Sequence, residues 1–137
     1  MSKNTITKLC YAVIQDEAVT AAALLPGTNV VRNSDDKFAA GTAAAVSMKI
    51  LIEDELQGRV VAEPYASGAR AQARTFRRGD LVLVMLKAEA TVVIGDGIEP
   101  TAAGLFIKLA SGTRVATSRE VLDLTGGADT LLLVEVD

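Results

Sequence analysis

The sequence predicts an all-β fold, an antiparallel sandwich or jelly-roll-like barrel with at most one or two short helices, and three observations predict it. Apolar runs of strand length recur at intervals of about 8 to 12 residues between Gly, Asn and Asp turns. No long amphipathic stretch of helical period separates them, as a parallel α/β architecture would require. Half of the residues are hydrophobic, but with three Phe, two Tyr and no Trp the stock is Ala, Val, Leu and Ile, the aliphatic and β-branched kind that pleated sheets bury. A chain of 137 residues holds one real core but not two independent ones. A single β domain is therefore expected over residues 24–137, with residues 1–23 as an N-terminal arm or first strand.

In chain order, the first segment MSKNTITKLCYAVIQDEAV carries few large side chains and weak periodicity. Such a segment buries too little surface to offset an ordering cost of about 1 to 2 kcal/mol per residue. Ile6, Leu9, Tyr11, Val13 and Ile14 are nevertheless spaced so that an extended arm lays several of them against a partner. Ile6, Leu9 and Tyr11 are the contact residues expected there, with ordering coupled to binding. DEAVTAAALLPG reads as a short helix stopped by Pro26-Gly27, or as extended chain. The extended reading is favoured because PGTNVVRNSDDKFAAGT then forms strand, polar turn, strand.

Beyond Val46 the strand pattern sharpens. VSMKILIEDEL is one run, RVVAE a second broken by Pro64, and GARAQARTF alternates as a half-exposed strand does. Gly79-Asp80 turns the chain into Leu81–Leu86, and TVVI at 91–94 is followed by the Gly95-Asp96-Gly97 turn. GLFIKL, RVA near Arg114 and TLLLVEV complete the set. Thr117 and Glu120 have capping-box spacing, and Gly126-Gly127 would close a short helix at REVLDL; the alternative there is one more strand. Gly27, Val30 and Phe38 recur at the spacing of Gly95, Ile98 and Phe106, which reads as one hairpin type used twice.

The run LVLVML raises a specific demand. Alternation puts Val82, Val84 and Leu86 on one face and Leu81, Leu83 and Met85 on the other, so each face needs an apolar neighbour. The core supplies one.

Composition removes whole classes of function. With a net charge of −3 and scattered basic residues, the chain lacks the positive field and aromatic platforms of nucleic-acid binders. Its longest apolar runs are far short of the roughly 20 residues that span a bilayer as a helix. No secretory signal is expected at the N-terminus. Cys10 is the only cysteine, so no internal disulfide forms, and synthesis in a reducing compartment fits. There is no histidine, which closes Ser-His-Asp and Cys-His catalysis and the usual zinc sites. No catalytic residue, cofactor or metal is expected.

The tempting motifs have plainer explanations. Arg78-Gly79-Asp80 resembles an integrin-binding tripeptide but is better read as the turn into a buried strand. IGDGIE lacks the helix N-terminus that a phosphate cradle needs. Glu53 and Glu55 would share a strand face and seat a divalent cation, although a solvated edge that discourages wrong pairing is the favoured reading. Arg70, Arg74, Arg77 and Arg78 are the densest basic cluster. They read equally as ordinary surface and as a docking patch for an acidic protein surface, and Arg74, Arg77 and Arg78 are carried forward as contact candidates.

LIEDELQGR, YASGARAQA, RRGDLVLVML, ATVVIGDGIE and GLFIKL, in that order and spacing from about Ala45 to Leu109, resemble the small structural proteins that decorate or cement the heads of tailed bacteriophages. The resemblance implies a β protein, often of jelly-roll type, on the exterior of the expanded capsid after synthesis in the bacterial cytoplasm. It implies the major capsid protein as partner; a homo-oligomer is expected, and charge and run length already speak against nucleic acid and membrane. It also suggests what covers the second face of LVLVML: another sheet, a second copy or the capsid. The competing reading is a carbohydrate-binding or adhesin-like β module, which wants aromatic or amide-rich loops; here the loops are Gly, Ala, Thr and Asp.

Overall fold

The computed structural model describes residues 3–10, 14–41 and 48–137. Its strands, in chain order, are β1 (Thr7–Leu9), β2 (Ile14–Val19), β3 (Val30–Arg32), β4 (Phe38–Ala40), β5 (Met48–Leu51), β6 (Arg70–Phe76), β7 (Leu81–Leu86), β8 (Thr91–Val92), β9 (Gly97–Pro100), β10 (Phe106–Lys108), β11 (Ala116–Ser118), β12 (Leu122–Asp123) and β13 (Thr130–Val136). The one helical element among the described residues is a 3-10 turn at Glu55–Gln57, capped by the Asp54 carboxylate, which accepts from the Gln57 N–H. The segment REVLDL is not a helix. It supplies β12, whose Leu122 pairs with Val92.

The second half closes into a five-stranded barrel in the order β7-β10-β9-β11-β13, with β13 returning to β7. Pairing is antiparallel except between β7 and β10, where Phe106 lies beside Leu86 in a parallel pair. That exception to the antiparallel expectation follows from the connection, in which β8 and β9 lie between the two in sequence and the β9–β10 hairpin brings β10 back in the direction of β7; parallel neighbours need a connection of at least about a dozen residues. Inside the barrel lie Val82, Val84, Leu86, Ile98, Phe106, Ala116, Leu132, Val134 and Val136, all buried. The even-numbered face of LVLVML therefore has its core.

The first half repeats this plan. β2 pairs with β6 and β6 with β5, while β3 pairs with β4. Bridges Asn29 to Ile50 and Thr20 to Phe38, the latter again parallel, complete the ring β2-β4-β3-β5-β6. The recurring Gly, Val/Ile and Phe are the same hairpin in the same register: Val30 opposite Ala40 and Arg32 opposite Phe38 correspond to Ile98 opposite Lys108 and Pro100 opposite Phe106. Gly27 and Gly95 enter the two hairpins with φ of 94° and 95°, a left-handed conformation that glycine adopts without steric cost. Both phenylalanines are fully buried.

The two interiors differ in bulk. The pair Ala18 and Ala71 stands where the second barrel has Val84 and Leu132, and Tyr65 joins the alanine-lined cluster. Its hydroxyl donates to the Ile52 carbonyl at 2.8 Å, and burial pushes its pKa up to about 12. Tyr65 comes from the longer connection before β6. In that connection RVVAE forms turns rather than a strand: the Arg59 N–H returns to the Asp54 carbonyl and the Glu63 N–H to the Val60 carbonyl, leaving Val60 52% exposed.

The other face of β7 meets the chain's own first half. Leu83 belongs to one buried cluster with Ile6, Ile50, Ile52 and Phe76. The backbone ties the same surfaces, since Leu83 N–H donates to Ile6 O, and Met85 N–H to Gly27 O, each at 2.9 Å. A sheet of the same chain thus covers the strand on its second side.

Candidate functional site

The residues expected at an interface separate into different environments. Ile6, placed by the sequence on an arm reaching a partner, is fully buried in the chain's own core, and its N–H donates to the Glu53 carboxylate at 3.0 Å. Leu9 lies in β1, which pairs with β7, and is 42% exposed. Tyr11 lies outside the described residues. Ile14 begins β2, the strand that pairs along its length with β6.

The arginine cluster divides between strand and turn. Arg74, inside β6, turns to its neighbours: it donates to Thr7 Oγ1 at 2.9 Å and to Gln15 Oε1 at 3.1 Å, and pairs with Glu55 at 3.7 Å. It ties β1, β2 and the 3-10 turn together. Arg77 and Arg78 belong to the turn after β6 and are exposed. That turn is rigid. The Asp80 carboxylate accepts from the Arg77 N–H at 2.9 Å, Asp80 N–H donates to Arg77 O, and Gly79 N–H donates to Val136 O. Asp80 is only 1% exposed, so the RGD tripeptide offers no carboxylate to a receptor.

Beside this turn the surface opens into a groove of about 430 Å³. Ile14 and the half-buried Val115 contribute apolar surface over the buried Met48 and Phe76, and Arg77, Arg78 and Arg114 line it with charge. Ile14 is 40% exposed, a large hydrophobe left on the surface at that point. Arg114 is held in place by Asp137 at 2.6 Å and Thr117 at 2.5 Å. Among the described residues neither Arg77 nor Arg78 forms an ion pair. Sequence reasoning did not bring Arg114 to this place, because it is far from Arg77 in the chain and arrives through the β11–β13 pairing.

A second charged cluster closes the mouth of the first barrel. Asp16 takes two contacts from Arg32, at 2.6 and 3.0 Å, and one from Lys49 at 2.9 Å. The Arg32 hydrogen bond is the largest influence that holds the Asp16 carboxyl well below the usual carboxylate range, with Lys49 adding to it against the opposing cost of burial. Both cations also lie over the Phe38 ring, at 5.4 and 6.0 Å. Every charge in this group is answered by another, and its chemistry is that of a polar cap on a small core.

The acids considered as a cation seat do not converge. Glu53 is 4% exposed and engaged by the Ile6 N–H, while Glu55 faces Arg74. Among the described residues no group of three or more His, Cys, Asp or Glu side chains is arranged to hold a metal ion. No helix among them is long and apolar enough to cross a membrane.

No protein-family model matches the chain, and no characterised protein matches it in sequence. Its fold is similar to a solved structure, the N base of the head fibre gp8.5 of bacteriophage phi29. The TM-score is 0.60 at 11% sequence identity, over 92% of this chain and 95% of that one.

Proposed function

We propose that this is a structural protein of a bacteriophage virion that binds the outer surface of the capsid and stabilises it by bridging subunits of the major capsid protein. The observation that carries the reading is the similarity of fold to a phage head-fibre base over nearly the whole of both chains. The turn and strand segments that resemble head decoration proteins point the same way from sequence. In this reading the protein acts by binding alone, as a homo-oligomer and without catalysis.

The energetics are additive. A copy that touches two capsid subunits makes their separation cost its own contacts as well, and a lattice repeats that contribution at every equivalent position. A domain built of two packed barrels suits such work, because a rigid body transmits a load between its contacts that a flexible linker would absorb.

The test is co-sedimentation with expanded, empty heads of the phage whose genome encodes the chain. The protein should pellet with the heads to a saturating, fixed ratio to the major capsid protein. Failure to pellet at any concentration at which the heads stay intact would refute the reading.

A further inference from the structure

We infer that the groove beside the β6–β7 turn is a docking site for an extended acidic segment of a protein partner, with an apolar side chain of that segment seated on Ile14 and the half-buried Val115 and its carboxylates on Arg77 and Arg78.

Charge complementarity selects the occupant. The chain as a whole carries more acids than bases, 17 against 14, yet at this groove three arginines meet with Asp137, which Arg114 already answers. Arg77 and Arg78 stand on a turn whose backbone is pinned by Asp80 and Val136. Their guanidinium groups therefore project from a fixed base, and docking costs less ordering than it would on a loose loop. An arginine fork donates two parallel N–H bonds to a carboxylate. An isolated small molecule is a poorer fit, because such ligands bind where most of their surface is enclosed, and this depression is open along one side. A polypeptide segment needs no enclosure. An apolar side chain of the segment covers Ile14 and Val115, and its charges meet the arginines, as in interfaces with an apolar centre and a polar border.

The inference rests on the capsid-binding reading only for the identity of the partner, which would be the major capsid protein. The groove is tested separately with a fluorescein-labelled synthetic peptide of alternating Asp and Leu, and with a control in which Lys replaces Asp. The acidic peptide should bind the protein and the basic one should not. The double variant R77S/R78S changes two exposed side chains, and its thermal melting curve should match that of the parent. It should bind the acidic peptide about tenfold or more weakly at about 10 mM salt, with the difference largely gone at about 1 M, where the screening length falls from about 30 Å to about 3 Å. Equal affinity of parent and variant at low salt would overturn the inference. So would equal binding of the two peptides.

Head co-sedimentation separates the two claims. If the parent and R77S/R78S bind heads equally at low salt, the capsid reading stands and the groove is not the contact. If the parent does not bind heads but the peptide result holds, the groove stands and its partner lies elsewhere. A parent that self-associates in sedimentation, with R77S/R78S monomeric, would overturn the inference in favour of a second copy as occupant.

Discussion

Replacing Leu83 by Ala should lower the unfolding free energy by about 2 to 5 kcal/mol, the range for deleting a buried leucine side chain. Leu83 is 1% exposed and sits where β7 meets the first half of the chain, in a cluster with Ile6, Ile50 and Phe76. Against a total of about 5 to 15 kcal/mol for an ordinary domain, that is a large fraction. Denaturant unfolding followed by fluorescence or circular dichroism measures it. Because the covering surface belongs to the same chain, the loss should not change with protein concentration. A loss below about 1 kcal/mol, or one that fades on dilution, would mean that this face is covered by something other than the chain itself.

Gly104 provides the second large effect. It has a φ of +78°, and a Cβ placed there would lie 2.5 Å from Thr28 Cγ2 and 2.7 Å from the Asn29 carbonyl oxygen. That oxygen is backbone, and Asn29 N–H itself donates to Gly104 O at 2.9 Å. Gly104→Ala therefore combines left-handed strain of about 1 to 3 kcal/mol with a steric penalty of about 1 to 3 kcal/mol. Gly95 is the control, since its φ is +95° and a Cβ there meets nothing within 4 Å. Gly95→Ala should carry the strain alone, leaving Gly104→Ala the worse by about 1 to 3 kcal/mol. Equal losses in thermal or denaturant unfolding would show that the β9–β10 turn does not press on the first half.

Much of the architecture was legible from alternation and turn residues, and the reasons are local. LVLVML and TLLLVEV declare themselves because period-two burial and β-branched composition act over a few neighbours. The recurrence of Gly, Val/Ile and Phe foretold a repeated hairpin because a left-handed glycine and a core phenylalanine are each hard to replace. The closure of two like barrels was not legible. In the first half it depends on the single bridges Thr20 to Phe38 and Asn29 to Ile50, and on Tyr65 entering the cluster where the second barrel uses larger aliphatics. No local pattern announces contacts between residues so far apart.

The candidate site was partly legible for the same reason. Arg77 and Arg78 could be read as exposed because a Gly-Asp turn follows them. Arg74 differs from them because it lies inside β6, opposite Gln15 of β2, where its side chain meets Thr7 and Gln15. Ile6 was misplaced by sequence reasoning: a short segment of small and polar residues looks like a free arm, but the Ile6 N–H has a buried carboxylate to engage and its side chain a core to enter. Glu53 supplies that carboxylate from 47 residues away.

Calorimetry of expanded heads titrated with the purified protein shows whether it holds capsid subunits together. The temperature at which the heads come apart should rise with occupancy and level off when the binding sites are filled, because each bound copy must be detached as the subunits separate. Heads that bind the protein to saturation and yet melt at the temperature of bare heads would contradict it.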